Sequence, residues 1–227
     1  MSVSVIIPVF NEEKTLKEIY RRVKSTNLAS EIIFINDGST DGTSLILREL
    51  AKEPKVKILK FPENRGKGAA IKTGINEADG KIIIIQDADL EYDPGDYPKL
   101  LKPINEDAAD VVYGSRFLGM KRQPFLFWHF LANKFLTLVT NLLYGNHLSD
   151  METGYKVFRK RIFEKLSIQA NRFNFEPEFT AKVLKKGFRL QEVPVSFSPR
   201  KYSEGKKIGI KDAVVAVWTL IKFRFTD

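Results

Sequence analysis

The stretch "IIIIQDADLEYDP", residues 82–94, opens with four consecutive isoleucines and then places Asp87, Asp89, Glu91 and Asp93 within seven positions. A β-branched run with no polar face reads as a strand covered on both sides, as parallel strands under helices are. Carboxylates this close repel one another unless something positive sits among them. The stretch therefore predicts a buried strand ending at a rim where something positive sits among the carboxylates.

Upstream, "SVSVIIPVF" (2–10), "EIIFIND" (31–37) and "VKILKF" (56–61) have the same short, β-branched character as "KIIIIQD" (81–87). Helical patterns near 12–25, 42–52 and 67–78 separate them, and this β/α alternation predicts an open α/β sheet. Ligands of such sheets bind outside the carboxyl ends of the strands. The polar residues fall there: Pro8 and Phe10 lead into Asn11, Glu12 and Glu13, the second strand runs into "NDGSTDGT" (36–43), the third into "ENRGKGAA" (63–70), and the fourth into "DADLE" (87–91). Beyond 110 the pattern is less regular. Further strands are expected in "DVVYGSR" (110–116) and "RLQEVPVSFSP" (189–199), where Pro194 signals an edge or bulge, with helices near 125–143 and 210–224.

The 227 residues fit one large domain, or one domain with an appendage, and 43% apolar content suffices for a sizeable core. With no cysteine there are neither disulfides nor thiolate metal sites. Imidazole can come only from His129 and His147, so a metal would rest on carboxylate oxygen, the ligand set of Mg²⁺, Mn²⁺ or Ca²⁺. A formal charge of +9, from 37 Lys and Arg against 28 Asp and Glu, favours an anionic partner or simply a solubilising surface. No stretch approaches the roughly 20 apolar residues of a membrane span, and residues 1–10 lack a signal peptide's basic start, so the protein is expected to stay on the side where it is made.

Where a strand frays into a loop, Asp87 and Asp89 can reach one side, and a divalent cation would neutralise them while gripping a diphosphate. An exposed acidic turn is the alternative. In "NDGSTDGT", Asp41 is placed to cap the helix beginning near Gly42, which leaves Asp37 free to bond a base or ribose. "NRGKGAAIKTG" (64–74) lacks the P-loop pattern and reads either as a glycine-bounded helix entry with a solvated Lys67 or as a ligand-facing turn. In the helix near 125–143, Trp128, Leu131, Phe135, Leu138, Val139 and Leu142 recur at helical spacing beside a polar stripe of His129, Asn133, Thr137 and Asn141. It is either a core helix with one wet side or a membrane-facing helix that presents its stripe to a lipid phosphate. "KDAVVAVWTLIKFRF" (211–225) combines an apolar body with Trp218, Lys222 and Arg224, as interfacial helices do. Peripheral attachment to the cytoplasmic leaflet is expected.

In this order, "PVFNEE", "NDGSTDGT", "NRGKGAA", "QDADLEYDP", "GSR", "SDMETGYKVFR" and "PRKYSEGKKIG" resemble family 2 glycosyltransferases of the GT-A fold, closest to the dolichyl- and polyprenyl-phosphate mannosyl- and glucosyltransferases. The likeness covers roughly 3–225. It implies a Rossmann-like, mostly parallel α/β sheet flanked by helices: a catalytic domain over 1–208, with a nucleotide-sugar half to about 115 and an acceptor half from about 116, then an amphipathic interfacial helix over 209–227. By resemblance, Pro8, Phe10 and Glu12 contact the donor nucleotide, with Ile35 and Asp37 beside base and ribose. Asp87, Ala88 and Asp89 form the D-x-D element, Asp89 being the principal metal ligand with Asp87 and Glu91 nearby. Arg116, Arg200 and Lys206 face phosphates, and His129, Asn133 and Asp150 serve the acceptor.

Two departures from the family pattern stand out. The late motif R-x-x-G-E-S-K here keeps Arg200, Glu204 and Lys206 but exchanges glycine and serine, and His129 and Asn133 stand where mannosyl relatives often have arginine and serine. The implied activity is an inverting, metal-dependent transfer of mannose or glucose, from GDP-mannose or UDP-glucose, to polyprenyl or dolichyl phosphate, with Mg²⁺ or Mn²⁺. A phosphate acceptor is already ionised and needs no general base. The same fold with a soluble or glycan acceptor is the alternative. A basic nucleic-acid-binding module is disfavoured, because residues 120–145 lack the interleaved basic and aromatic surface expected for stacking on bases and carboxylates crowd the ligand rim.

Overall fold

The four isoleucines form strand β4 (Ile82–Ile85), and none is more than 1% exposed. The computed structural model describes residues 1–118, 127–199 and 210–226, the side chains of 127–129 and 210 excepted. Around β4 the chain runs β1 (Val3–Val9), α1 (Leu16–Ser25), β2 (Glu31–Asp37), α2 (Thr43–Leu50), β3 (Val56–Phe61) and α3 (Lys67–Asn76). After β4 come a 3₁₀ turn (Pro94–Asp96), α4 (Tyr97–Asn105), β5 (Val111–Ser115), α5 (Phe127–Tyr144), β6 (Lys156–Arg159), α6 (Lys160–Glu164), α7 (Phe175–Lys185), β7 (Leu190–Pro194) and α8 (Ile210–Phe225).

One seven-stranded sheet has the order β3-β2-β1-β4-β6-β5-β7. All strands point the same way except β6, which runs antiparallel between β4 and β5. Successive residues of a strand face opposite layers. Thus Ile83 and Ile85 join Ile6, Ile33 and Ile35 under α3, α5, α7 and α8, while Ile82 and Ile84 join Val5, Ile7 and Phe34 under α1, α2 and α4. Helix α3 lies close on the sheet because Gly74 meets Ile6 and Ile35, where a Cβ would collide with both. Helix α8 contributes Ala216, Leu220 and Phe223 to the same core.

The expected α/β alternation and edge proline are both present: β7 is the edge strand and closes at Pro194, shorter than the 189–199 run, with Phe197 bridging separately to Tyr92. Besides the 3₁₀ turn, four elements, α4, β6, α6 and α7, have no counterpart in the sequence pattern. Helix α4 carries Pro103 in its last turn, and β6 has only four residues, with Lys156 and Arg159 at its ends. The reversed direction of β6 matters for function. Lys156 pairs with Ile85 and Tyr113, so the loop before it arrives at the carboxyl rim of β4 and β5. Among the described residues, no helix is long and apolar enough to cross a membrane.

Candidate active site

The acidic turn after β4 is held by its neighbours rather than left to repel. Gln86, fully buried, accepts hydrogen bonds at Oε1 from Tyr97 Oη (2.9 Å) and Tyr155 Oη (2.6 Å) and donates to the Asp87 carbonyl (3.0 Å). The Asp87 carboxylate receives Lys67 Nζ at 2.8 and 3.1 Å, and the same ammonium lies 3.0 Å from Glu176 Oε1. Burial alone would lower the Lys67 pKa, but the charges of Asp87 and Glu176 outweigh it and the ammonium is held well above its ordinary value. Lys67 is therefore not solvated, and Asp87, expected as a metal ligand, is already paired. Ala88 is buried, and Asp89 Oδ1 accepts the Glu91 amide at 3.1 Å across Leu90, whose φ of 63° is unfavourable for a branched side chain and re-aims the chain between the two acids. Asp93 caps the 3₁₀ turn through the Gly95 amide (2.9 Å).

Asp37, expected to be free for a base or ribose, is 3% exposed and accepts the Arg65 amide at 2.7 Å and the Gly66 amide at 2.9 Å. It fixes the turn that starts α3, with Gly66 at φ 98°, and so positions Lys67 against Asp87. Ile35 is 0% exposed and packs in the core beside Gly74, so its side chain does not line the rim. Pro8 pairs across from Ile35 and keeps part of its surface, as does Phe10. Glu12 accepts the Thr15 hydroxyl at 2.7 Å and donates its amide to Thr43 Oγ1 at 3.0 Å. Asp41 accepts the Thr43 and Glu13 amides, joining α2 to the end of β1.

On the other side of β4, Asp150 is fully buried and takes Arg116 through the backbone amide (2.9 Å), Nε (2.8 Å) and Nη2 (2.7 Å). Burial would raise this carboxyl, but the guanidinium overcomes it and the pKa is lowered. Asp150 thus orients Arg116 and has no surface for an acceptor. The guanidinium lies 5.2 Å from the Phe197 ring and 5.7 Å from Phe117, with its Nη1 edge unbonded among the described residues. Arg200 and Lys206 lie outside the described residues.

Helix α5 turns its polar stripe inward. Thr137 is buried and accepts the Met151 amide (3.1 Å), Asn133 accepts the Thr137 hydroxyl (3.3 Å), and Asn141 exchanges bonds of 2.8 Å with the backbone of Leu148. Thr137 and Asn141 therefore clamp the loop around Asp150, while Asn133 keeps part of its surface; the side chain of His129 lies outside the described residues. Outward face Leu131, Phe135, Leu138 and Leu142, up to 75% exposed, and beside them on α8 stand Val214, Trp218 and Phe225, up to 79% exposed. Tyr144 Oη donates to the Leu220 carbonyl (2.8 Å) and ties the two helices together.

Sequence reasoning missed Glu176, Glu192, Glu152 and Lys156 as members of this rim. "SDMETGYK" marked the last two only as part of a motif, and "FEPEF" around Glu176 carried no signal. Among the described residues, no three His, Cys, Asp or Glu side chains come together as a cage for a metal ion. The oxygen-only donors present suit a hard cation anchored by one carboxylate and completed by ligand phosphate oxygens.

The topology and the polar rim define an α/β fold of the GT-A type. A family model described as "Glycosyl transferase family 2" matches residues 4–167, and the chain belongs to that family of sugar-transferring enzymes. It is 30% identical over 214 residues to the dolichol-phosphate mannosyltransferase of Pyrococcus furiosus, covering 92% of this chain but 60% of that protein. It is likewise 30% identical over 220 residues to the UDP-N-acetylglucosamine–dolichyl-phosphate N-acetylglucosaminyltransferase of Methanococcus voltae, covering 88% and 86%. Glucosyl-3-phosphoglycerate synthase from Mycobacterium tuberculosis, solved with Mn²⁺, UDP and phosphoglyceric acid, superposes with a TM-score of 0.75 over 100% of this chain and 79% of that one, at 16% identity. That likeness concerns the fold.

Proposed function

We propose that this glycosyltransferase moves a hexose from a nucleoside-diphosphate sugar to a polyprenyl phosphate at a membrane surface. One observation carries the reading: the helix with the exposed apolar face, α5, is the same helix that clamps the loop orienting Arg116. Lys134 of α5 donates to the Ser149 carbonyl (3.1 Å) and lies 4.1 Å from the Phe117 ring. Phe130 of α5 packs on Phe117, whose ring lies 5.7 Å from the anchored Arg116 guanidinium, and an apolar helix linked in this way to a cation matches an acceptor with an apolar tail and an anionic head. The dolichyl-phosphate acceptors in the names of the archaeal relatives support the same reading.

The donor's pyrophosphate belongs over the Asp89–Glu91 turn. Asp89 would hold a divalent cation, Mg²⁺ or Mn²⁺, which supplies positive charge to the leaving diphosphate; the Mn²⁺ and UDP of the structural neighbour agree with this. Asp87, neutralised by Lys67, supports that turn. Arg116, its side chain 13% exposed, offers its Nη1 edge to a phosphate, while Arg200 and Lys206 are assigned to phosphates by their motif. The acceptor's phosphate oxygen, ionised at neutral pH, attacks C1; the bond from C1 to the diphosphate oxygen breaks with its electron pair, and the configuration inverts. Stabilising that departing charge is the protein's main task.

The test is nucleoside diphosphate release from GDP-mannose, UDP-glucose and UDP-N-acetylglucosamine, with Mg²⁺ or Mn²⁺, each with and without a short polyprenyl phosphate. Release from one donor only when lipid is present is the expected result and names the sugar. Equal release with and without lipid refutes the lipid acceptor, and transfer to a soluble phosphate ester instead supports the alternative acceptor class.

A further inference from the structure

The loop from Ser149 to Tyr155 is bonded almost throughout. The Ser149 and Asp150 amides donate to Glu192 at 2.7 and 3.0 Å, the Met151 amide to Thr137, the Thr153 hydroxyl to the Gly114 carbonyl, and the Gly154 amide to Tyr92 Oη at 2.9 Å. Lys156 Nζ donates to the carbonyls of Met151 and Thr153. The exception is Glu152. Its Oε1 is closed to solvent and accepts no hydrogen bond among the described residues, although the residue keeps part of its surface open at the rim.

Two other described side-chain atoms share that condition, and both have compensation. Glu31 Oε2 lies 3.0 Å from Lys57 Nζ, and the Arg159 guanidinium bonds through Nη2 to Ile104 and Asp107. Glu152 has none. The charges it senses most strongly are Glu176, Lys156, Arg116 and Asp150, in that order. Glu176 is committed to Lys67, Arg116 to Asp150, and the Lys156 ammonium to backbone carbonyls. A buried carboxylate oxygen without a donor is costly, and native proteins keep such a group where a ligand completes it.

We propose that Glu152 binds the donor's sugar: while Oε1 stays closed to solvent, the other carboxylate oxygen, on the part of the residue open at the rim, accepts hydrogen bonds from hydroxyls of the hexose and helps to select which hexose is carried. This rests on the nucleotide-sugar reading above. The location fits, because Gly154, two residues on, touches Asp87 so closely that a Cβ would overlap Oδ2. The loop is therefore a wall beside the turn assigned to the diphosphate, where the attached sugar must fall. The charge fits as well. Lys67 is committed to Asp87 and Glu176 and Arg116 to Asp150, so an uncharged hydroxyl matches this part of the rim better than a second phosphate does. Burial, then Glu176, push the Glu152 carboxyl up to about 8, and a hydroxyl, being both donor and acceptor, suits either protonation state.

The experiment is calorimetric titration of wild type, Glu152→Ala and Glu152→Gln with GDP, UDP, GDP-mannose and UDP-glucose in Mg²⁺, together with thermal melting of each ligand-free protein. Both variants should bind the nucleoside diphosphate like wild type. Glu152→Ala should weaken the nucleotide sugar about 10- to 100-fold and, lacking the unpaired carboxylate, melt about 2–4 °C higher; Glu152→Gln should fall between. Unchanged nucleotide-sugar binding by Glu152→Ala overturns the assignment, as does equal weakening of nucleotide and nucleotide sugar with a lowered melting temperature, the mark of a purely structural residue. If wild type binds none of the four ligands, the donor reading falls and the assignment with it; if wild type binds and the variants do not differ, only Glu152 falls.

Discussion

Both ends of the sheet bury a glutamate, and the two are treated in opposite ways. At the amino end, Glu31 of β2 accepts the Ser4 hydroxyl and the amides of Asp79 (2.6 Å) and Gly80 (3.1 Å), with Lys57 at 3.0 Å. Burial would raise its pKa, but the Ser4 and Lys57 bonds and the Asp79 amide outweigh it and the carboxyl is lowered. At the carboxyl end, burial and Glu176 raise Glu152, and no donor answers among the described residues. One rim uses its polar groups to close on each other. The other leaves a carboxylate oxygen of Glu152 without a donor among the described residues, and on the reading proposed above a ligand supplies what the chain does not.

Mutations on the two rims should therefore fail differently. Asp89→Ala should cut turnover by about 1,000-fold or more while the melting temperature stays within about 2 °C, since its side chain lies at the rim and not in the core; near-normal activity would refute the mechanism. Glu31→Ala should do the reverse, lowering stability by about 3 kcal/mol in denaturant titrations with unchanged nucleotide affinity. A loss of affinity without loss of stability there would dissolve the contrast. Gly154→Ala pushes a methyl into Asp87 and should reduce kcat about 10- to 100-fold with modest loss of stability, measurable by steady-state kinetics beside thermal melting.

The active rim also differs in its flank, the apolar face of α5 and α8. Replacing Leu142 and Trp218 together by serine should weaken co-sedimentation with anionic vesicles about tenfold or more without altering nucleotide binding. The smallest effect concerns pH. With Glu152 raised from 4.5 to about 8, the folded state holds a proton that the unfolded chain has released, so ligand-free stability falls as pH rises through that interval. Glu31, lowered, contributes stability that is lost as pH falls. Glu152→Gln should flatten the alkaline limb by a few degrees of melting temperature and leave the acid limb; an unchanged alkaline limb would mean that Glu152 is not the group responsible.

The rim is legible in the sequence because buried parallel strands are continuous apolar runs, and the residues just after such a run must lie at the sheet's edge. Pro8, Asp37, Lys67 and Asp89 are all placed there by that reasoning alone. Their partners are not legible. Lys67 meets Glu176 across more than 100 residues of chain, and neither a spacing nor a local propensity encodes that pair. Asp37 reads as free because its partners, the Arg65 and Gly66 amides, belong to a turn after the next strand. The stripe of α5 is visibly polar and periodic in the sequence, but periodicity tells which residues share a face and not which way the face turns.

Hydrophobic runs by themselves determined the fold class and the rim where the polar turns gather, because burial and turn chemistry are local properties of a chain, and the order of the motifs, by resemblance, determined the family. Only the tertiary structure decided which charges are neutralised. Whether a carboxylate at the rim is a ligand, a clamp or a spare acceptor depends on donors brought from distant segments by β6 running backwards between β4 and β5. Electrostatic pairing acts through space over a few ångströms, and only the packed sheet brings those groups within that range.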